Sequence, residues 1–239
     1  MNKVQCLLLM LCTLIFSTGV SAMSKAEVAE QFSTLFLSFK ISILTSQPLI
    51  NDPNIGDKGL TGPVIIEKTK ANYKSLTGKE FQLSQDPTLR KAQETLFFSI
   101  DKLMTKVQPI VNREGLGFKG LITAVMARRL AKLFTTEMGG KMSFKFTAPD
   151  DLLRSKANKA DTWEEGVFEE QFRSGSWDKS SNYSQVVGEE FRWMQPVYHE
   201  AVCMNCHGDP KGERDVTGAV KEGAKVGDLA GAFSIKMVE

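Results

Sequence analysis

The hydrophobic period of this sequence changes once, near Gly139-Gly140, and that change limits what the chain can become. Before it, apolar residues recur at helical spacing. Val28, Phe32, Leu35, Phe36, Phe39 and Ile43 mark one buried face, entered through a Ser24/Glu27 capping box and running to about Thr45. Pro63 opens a second helix reaching about Tyr73. Asp86-Pro87 opens a third, with Leu89, Ala92, Leu96, Ile100, Leu103 and Val107 on one face. A fourth is expected over residues 121–136. After the glycines, Met142, Phe144 and Phe146 alternate with Ser143, Lys145 and Thr147, as a half-buried strand requires. A short helix capped by Asp161 with Glu164 follows, then a hairpin over residues 183–198 turning near Gly188. A last strand carries Phe233, Ile235 and Met237. The expectation is an α+β fold: a helical N-terminal half, then antiparallel strands with flanking helices.

The helical half contains a repeat. Residues 47–64 and 108–125 match at a constant offset of 61, with eight of 18 positions identical, each copy lying between two helices. Such a duplication preserves loop geometry through its glycines. Alternatively, Lys58 and Lys119, each beside a glycine at a helix start, could hold an anion such as a haem propionate.

Residues 1–22 read as a cleaved export signal: Lys3, an uncharged apolar run over residues 7–16, and Val20-Ser21-Ala22 as a small-x-small cleavage site. That run is too short to span a bilayer, and no later stretch is long enough. A mature start near Met23 and a periplasmic location follow as expectations. Of 30 basic and 28 acidic side chains only Lys3 leaves with the signal, so the balance stays near neutral. That argues against nucleic-acid or polybasic membrane partners.

Cys6 and Cys12 leave too. What remains is Cys203-Met204-Asn205-Cys206-His207, the only cysteines of the mature chain. In an exported protein a C-x-x-C-H run encodes attachment of one haem c: both thiols bond the vinyl groups and the adjacent histidine ligates the iron. The rivals are a thioredoxin-like pair at a helix start in a βαβ unit, a zinc site using His199 as fourth ligand, and a plain disulfide. His199 is otherwise expected as a surface histidine, tethered too closely to reach the far haem face.

Arg154-x-x-x-Asn158-x-x-Asp161-x-Trp163-Glu164, followed by Cys203 to Pro210 and closing on Gly227-Asp228-Leu229-Ala230-Gly231-Ala232, resembles a family of single-haem c-type domains with a PAS-like fold. The resemblance is clearest over residues 117–238. It implies three regions: residues 1–22 as signal, 23–115 as a helical extension with the first repeat copy, and 116–239 as a PAS-like haem c-binding domain. The family usually reads Arg-Asn-Pro where this chain has Arg154-Ser155-Lys156. Some members ligate the iron through a cysteine on the helix before the first strand, and Met126 stands at or near that place. Met126 equally suits the apolar helix face it shares with Ile122, Val125, Leu130 and Leu133. The haem-binding set implied is therefore Cys203, Cys206, His207, Met126, Arg154 and Lys119, with His207 and Met126 on iron. The function implied is a non-enzymatic sensing module for redox state or a diatomic gas, reporting to a separate signalling protein. The alternative is a small electron-transfer cytochrome with a redox partner.

Overall fold

A computed structural model describes residues 22–238, so the expected signal segment lies outside the described residues except for Ala22. Four helices come first: α1 (Lys25–Ile50), α2 (Gly62–Thr77), α3 (Pro87–Val111) and α4 (Thr123–Glu137). Then follow β1 (Met142–Thr147), α5 (Thr162–Val167), β2 (Tyr183–Val187), β3 (Glu190–Tyr198), α6 (Met204–His207) and β4 (Leu229–Val238). The α+β expectation holds.

Local chemistry starts and stops these elements. Ser24 with Glu27 and Asp161 with Glu164 form complete capping boxes, and Asp86 accepts from the Thr88 and Leu89 amides. Gly188 takes φ 62° in the β2–β3 turn, a conformation that costs a residue with a Cβ. α1 and α3 outrun the ends expected from their apolar faces, passing through Pro48 and Pro109. A proline one turn from a helix end removes a single N–H. Gln47 and Gln108 re-close each turn by accepting from the Asn51 and Asn112 amides, at 3.0 and 2.9 Å.

All pairings in the four-stranded sheet are antiparallel, in the order β1-β4-β3-β2. The last strand thus inserts between the first and third. One sheet face, with Phe144, Trp193, Phe233 and Ile235, packs beneath α1 and α4 in a single core that also takes in α2 and α3. Phe36 stacks on Phe233 at 4.7 Å with rings 4° from parallel. The opposite face holds a smaller cluster of Val167, Phe168, Phe172 and Met194. At its border Glu164 is wholly buried, accepting from Thr147 Oγ1 at 2.9 Å and facing Lys145 Nζ at 2.8 Å.

The two repeat loops face each other and exchange equivalent bonds, as a pseudo-twofold axis demands. Lys58 N donates to Asn112 Oδ1 at 3.2 Å, and Lys119 N donates to Asn51 Oδ1 at 3.1 Å. Gln108 Nε2 donates to the Leu60 carbonyl at 2.7 Å, and Gln47 Nε2 to the Leu121 carbonyl at 2.9 Å. Both lysines are buried.

Topology fixes where the motif sits. β1 ends beside Ala232, and β3 ends beside Leu229, so both strands finish at one end of the sheet. His199 and the cysteine motif leave from there. α4 precedes β1 by a tight turn, and Arg128 in its second turn reaches Ser155 Oγ at 3.3 Å. The first turns of α4 therefore lie at the motif's end.

Candidate cofactor-attachment site

The two cysteines straddle a single helical turn. Cys203 closes a 3₁₀ turn (Ala201–Cys203) and Cys206 lies in α6; both are free thiols of intermediate exposure. Burial, and then the negative charge of Asp215, push the Cys206 thiol up from its ordinary value. A thiol held protonated is a poor redox nucleophile. The sheet, moreover, is antiparallel throughout, so no βαβ unit surrounds the motif and the thioredoxin-like rival fails on fold. The zinc rival fails on geometry: among the described residues no group of three or more His, Cys, Asp or Glu side chains is disposed to hold a metal ion.

His207 is the best-defined group. Its Nδ1 lies 3.1 Å from Glu222 Oε2. Burial first, and then the Arg154 charge, lower its pKa, which favours the neutral ring. A carboxylate only accepts, so the proton belongs on Nδ1 and the Nε2 lone pair is free to bind a metal. A carboxylate behind a metal-binding imidazole fixes both tautomer and ring orientation.

Arg154 holds this arrangement together. It reaches the site from the segment after β1, ahead of α5. Its Nη1 bonds Asp215 Oδ2 at 3.0 Å, and Nη2 bonds the carbonyls of Cys206 and Val220 at 2.8 and 2.9 Å. Nε lies 2.5 Å from Glu222 Oε1, but its N–H is not aligned on that oxygen, so the contact is Coulombic. The Asp215 side chain is fully buried. Burial would raise its pKa, yet bonds from the Thr217 hydroxyl and amide, with the Arg154 charge, outweigh it and hold the carboxyl at about 2.

His199 departs from expectation. It is 8% exposed rather than a surface residue, and its ring centroid lies 4.7 Å from that of His207. Its backbone pairs with Asp228 and Gly227, which folds the β3 exit inward, and its Nδ1 has no hydrogen-bond partner among the described residues. Burial lowers its pKa.

The sequence-named residues thus separate. Cys203, Cys206, His207 and Arg154 meet. Met126 is wholly buried in the helix–sheet core, in the first turn of α4. Lys119 turns Nζ onto the Leu116 and Asp52 carbonyls, at 2.6 and 3.4 Å, within the repeat loops. Sequence reasoning missed Glu222 and Asp215. They lie in an irregular stretch over residues 209–226, whose turn signals, Pro210-Lys211-Gly212 and Asp215-x-Thr217-Gly218, mark where the chain bends but not what it folds back onto.

No curated protein matches this chain. A family model described as Tll0287-like matches residues 65–237. Among solved structures, the crystal structure of the cyanobacterial heme-protein Tll0287 is similar at 16% identity, covering 62% of this chain and 94% of that one, with a TM-score of 0.42.

Proposed function

The chain belongs to the Tll0287-like family, and from that premise we propose that it carries one covalent haem c, joined to Cys203 and Cys206 with His207 on the iron. The observation that carries the reading is the His207–Glu222 contact, which leaves a neutral Nε2 lone pair beside two free thiols. The residues fit the group. When bound, it would supply one-electron exchange at iron, or an open iron position for a diatomic gas. The chain's own part is to present both thiols on one turn, hold the imidazole in one tautomer, and brace α6 through the Arg154 bond to the Cys206 carbonyl.

The role we propose is a non-enzymatic sensing module, exported to the periplasm by the leading residues, that reports redox state or gas binding to a separate protein. No helix of the described residues is long and apolar enough to cross a membrane. Met126 is the candidate sixth ligand, since α4 begins at the motif's end of the sheet. A second reading, electron transfer, is favoured by two exposed apolar side chains at the site: Val202, immediately before Cys203, and Val220, whose carbonyl accepts from Arg154.

Production with c-type maturation machinery tests the attachment. The protein should gain one haem mass and keep it through acid–acetone extraction, and Cys203→Ala or Cys206→Ala should reduce attachment sharply. Colourless protein with stoichiometric zinc overturns the reading. Absorption spectra with and without carbon monoxide then separate the roles: ready binding favours gas sensing, and an unchanged low-spin spectrum favours redox sensing or electron transfer.

A further inference from the structure

We propose that Glu222, clamped by Arg154, is a positioning residue that sets how strongly His207 donates to a bound iron. The inference rests on the haem reading above and deepens it. Four observations carry it.

The first is the pairing itself. A carboxylate accepting from Nδ1–H draws that proton toward itself and makes the ring a stronger donor at Nε2. A stronger donor stabilises ferric over ferrous iron, so the carboxylate acts on the reduction potential.

The second is that Glu222 does not stand on a loose loop. Residues 212–221 fold into a small ladder, with Gly212 N to Lys221 O at 3.0 Å, Lys221 N to Glu213 O at 2.8 Å, and Asp215 N to Ala219 O at 2.8 Å. Glu222 follows that ladder directly. Two residues later, Ala224 N donates to the His207 carbonyl at 2.8 Å. The carboxylate is thus pinned from both sides onto the residue it serves.

The third is Arg154. The guanidinium touches both carboxylates, Asp215 and Glu222, and the backbone of both the motif helix and the ladder. One cation against two anions leaves the cluster net negative. The Glu222 carboxylate is therefore fixed in position between Arg154 and His207.

The fourth is His199. Its ring lies 4.7 Å from that of His207, so the ring is bounded by packing on one side and bonded at Nδ1. Rotation that would trade Nδ1 for Nε2 is opposed by both.

The test is potentiometric titration of the full haem-bearing chain against Glu222→Gln. Glutamine keeps the shape and an acceptor oxygen but loses the charge. The midpoint potential should rise by at least about 59 mV, a tenfold change in the one-electron equilibrium, with covalent haem retained. Glu222→Asp keeps the charge on a shorter arm and should move the potential in the same direction by less. It serves as the second variant if glutamine impairs folding. A purely structural role would lower the yield of both variants without moving the potential of the protein that folds. Unchanged potentials in haem-bearing variants overturn the inference and leave the haem reading standing. Wild-type protein that takes up no haem overturns both.

Discussion

Two regions of this molecule enclose cationic side chains, two buried lysines in one and a half-buried arginine in the other, and they treat them in opposite ways. In the repeat loops, Lys58 and Lys119 are met by backbone carbonyls and by one another. At the motif, Arg154 is met by two carboxylates and two carbonyls. Carbonyl dipoles satisfy the lysines' donors without balancing their charge, so burial first, and then Lys58, lower the pKa of Lys119. Carboxylates balance charge as well as donors; against burial, the Thr217 bonds and then the Arg154 charge hold Asp215 at about 2. The loops use cations to close a backbone. The motif uses one to orient a side chain.

The largest expected effect breaks the motif half. Arg154→Leu leaves buried Asp215 without its counter-charge, and by the usual cost of breaking a buried pair should destabilise the fold by about 3–5 kcal/mol. Denaturant unfolding measures it, and a loss under about 1 kcal/mol would mean that Thr217 alone satisfies Asp215.

Met126 lies on the helix that joins the two regions. Met126→Ala should cost about 2–5 kcal/mol through the cavity it leaves. If Met126 also ligates iron, the substitution removes a far-red charge-transfer band and lowers the potential. A band that survives, or is absent from wild type, makes Met126 a core residue only.

Acid sharpens the contrast. The folded pKa of Asp215 lies below its ordinary value of 3.8, so its stabilising contribution is fully present above about pH 4 and is lost as pH falls toward 2. Melting temperature should fall more steeply across that window in wild type than in Asp215→Asn. Parallel profiles would show that the carboxylate's hydrogen bonds, rather than its charge, hold the ladder.

The smallest effect is on the loops and has the opposite sign. A lysine whose folded pKa is lowered disfavours the folded state while charged, so stability rises with pH as it approaches 10.5. Lys119→Met should flatten that rise, and at neutral pH should cost only about 1–2 kcal/mol, because two carbonyls lose a donor while the repulsion with Lys58 disappears. A neutral-pH loss as large as that of Arg154→Leu would erase the distinction between the regions.

Much of this was legible. The change of period at Gly139-Gly140 gave the two halves, and Ser24/Glu27 and Asp161/Glu164 placed two helix starts to the residue. The alternation of Phe144 and Phe233 gave two strands but not that the second slots between β1 and β3, because period carries no partner identity. The apolar faces of α1 and α3 did not show that both helices run on through Pro48 and Pro109, because a last-turn proline removes only one N–H. Cys203, Cys206 and His207 were found because their chemistry fixes their spacing. Glu222, Asp215 and the burial of His199 were not, because they depend on how an aperiodic loop folds back, and adjacency in sequence says nothing of that.

The exchanged bonds between the repeats have a further consequence. Residue i of one copy contacts residue j of the other, and j of the first contacts i of the second, which is the arithmetic of an isologous homodimer interface written within one polypeptide. The tether supplies the partner at a fixed effective concentration, so the contact forms at any dilution. It also removes the freedom of either copy to change alone. A one-residue insertion between Asn51 and Lys58 would misplace the acceptor that Lys119 needs and the donor that Asn112 needs, so both crossings fail from a single edit.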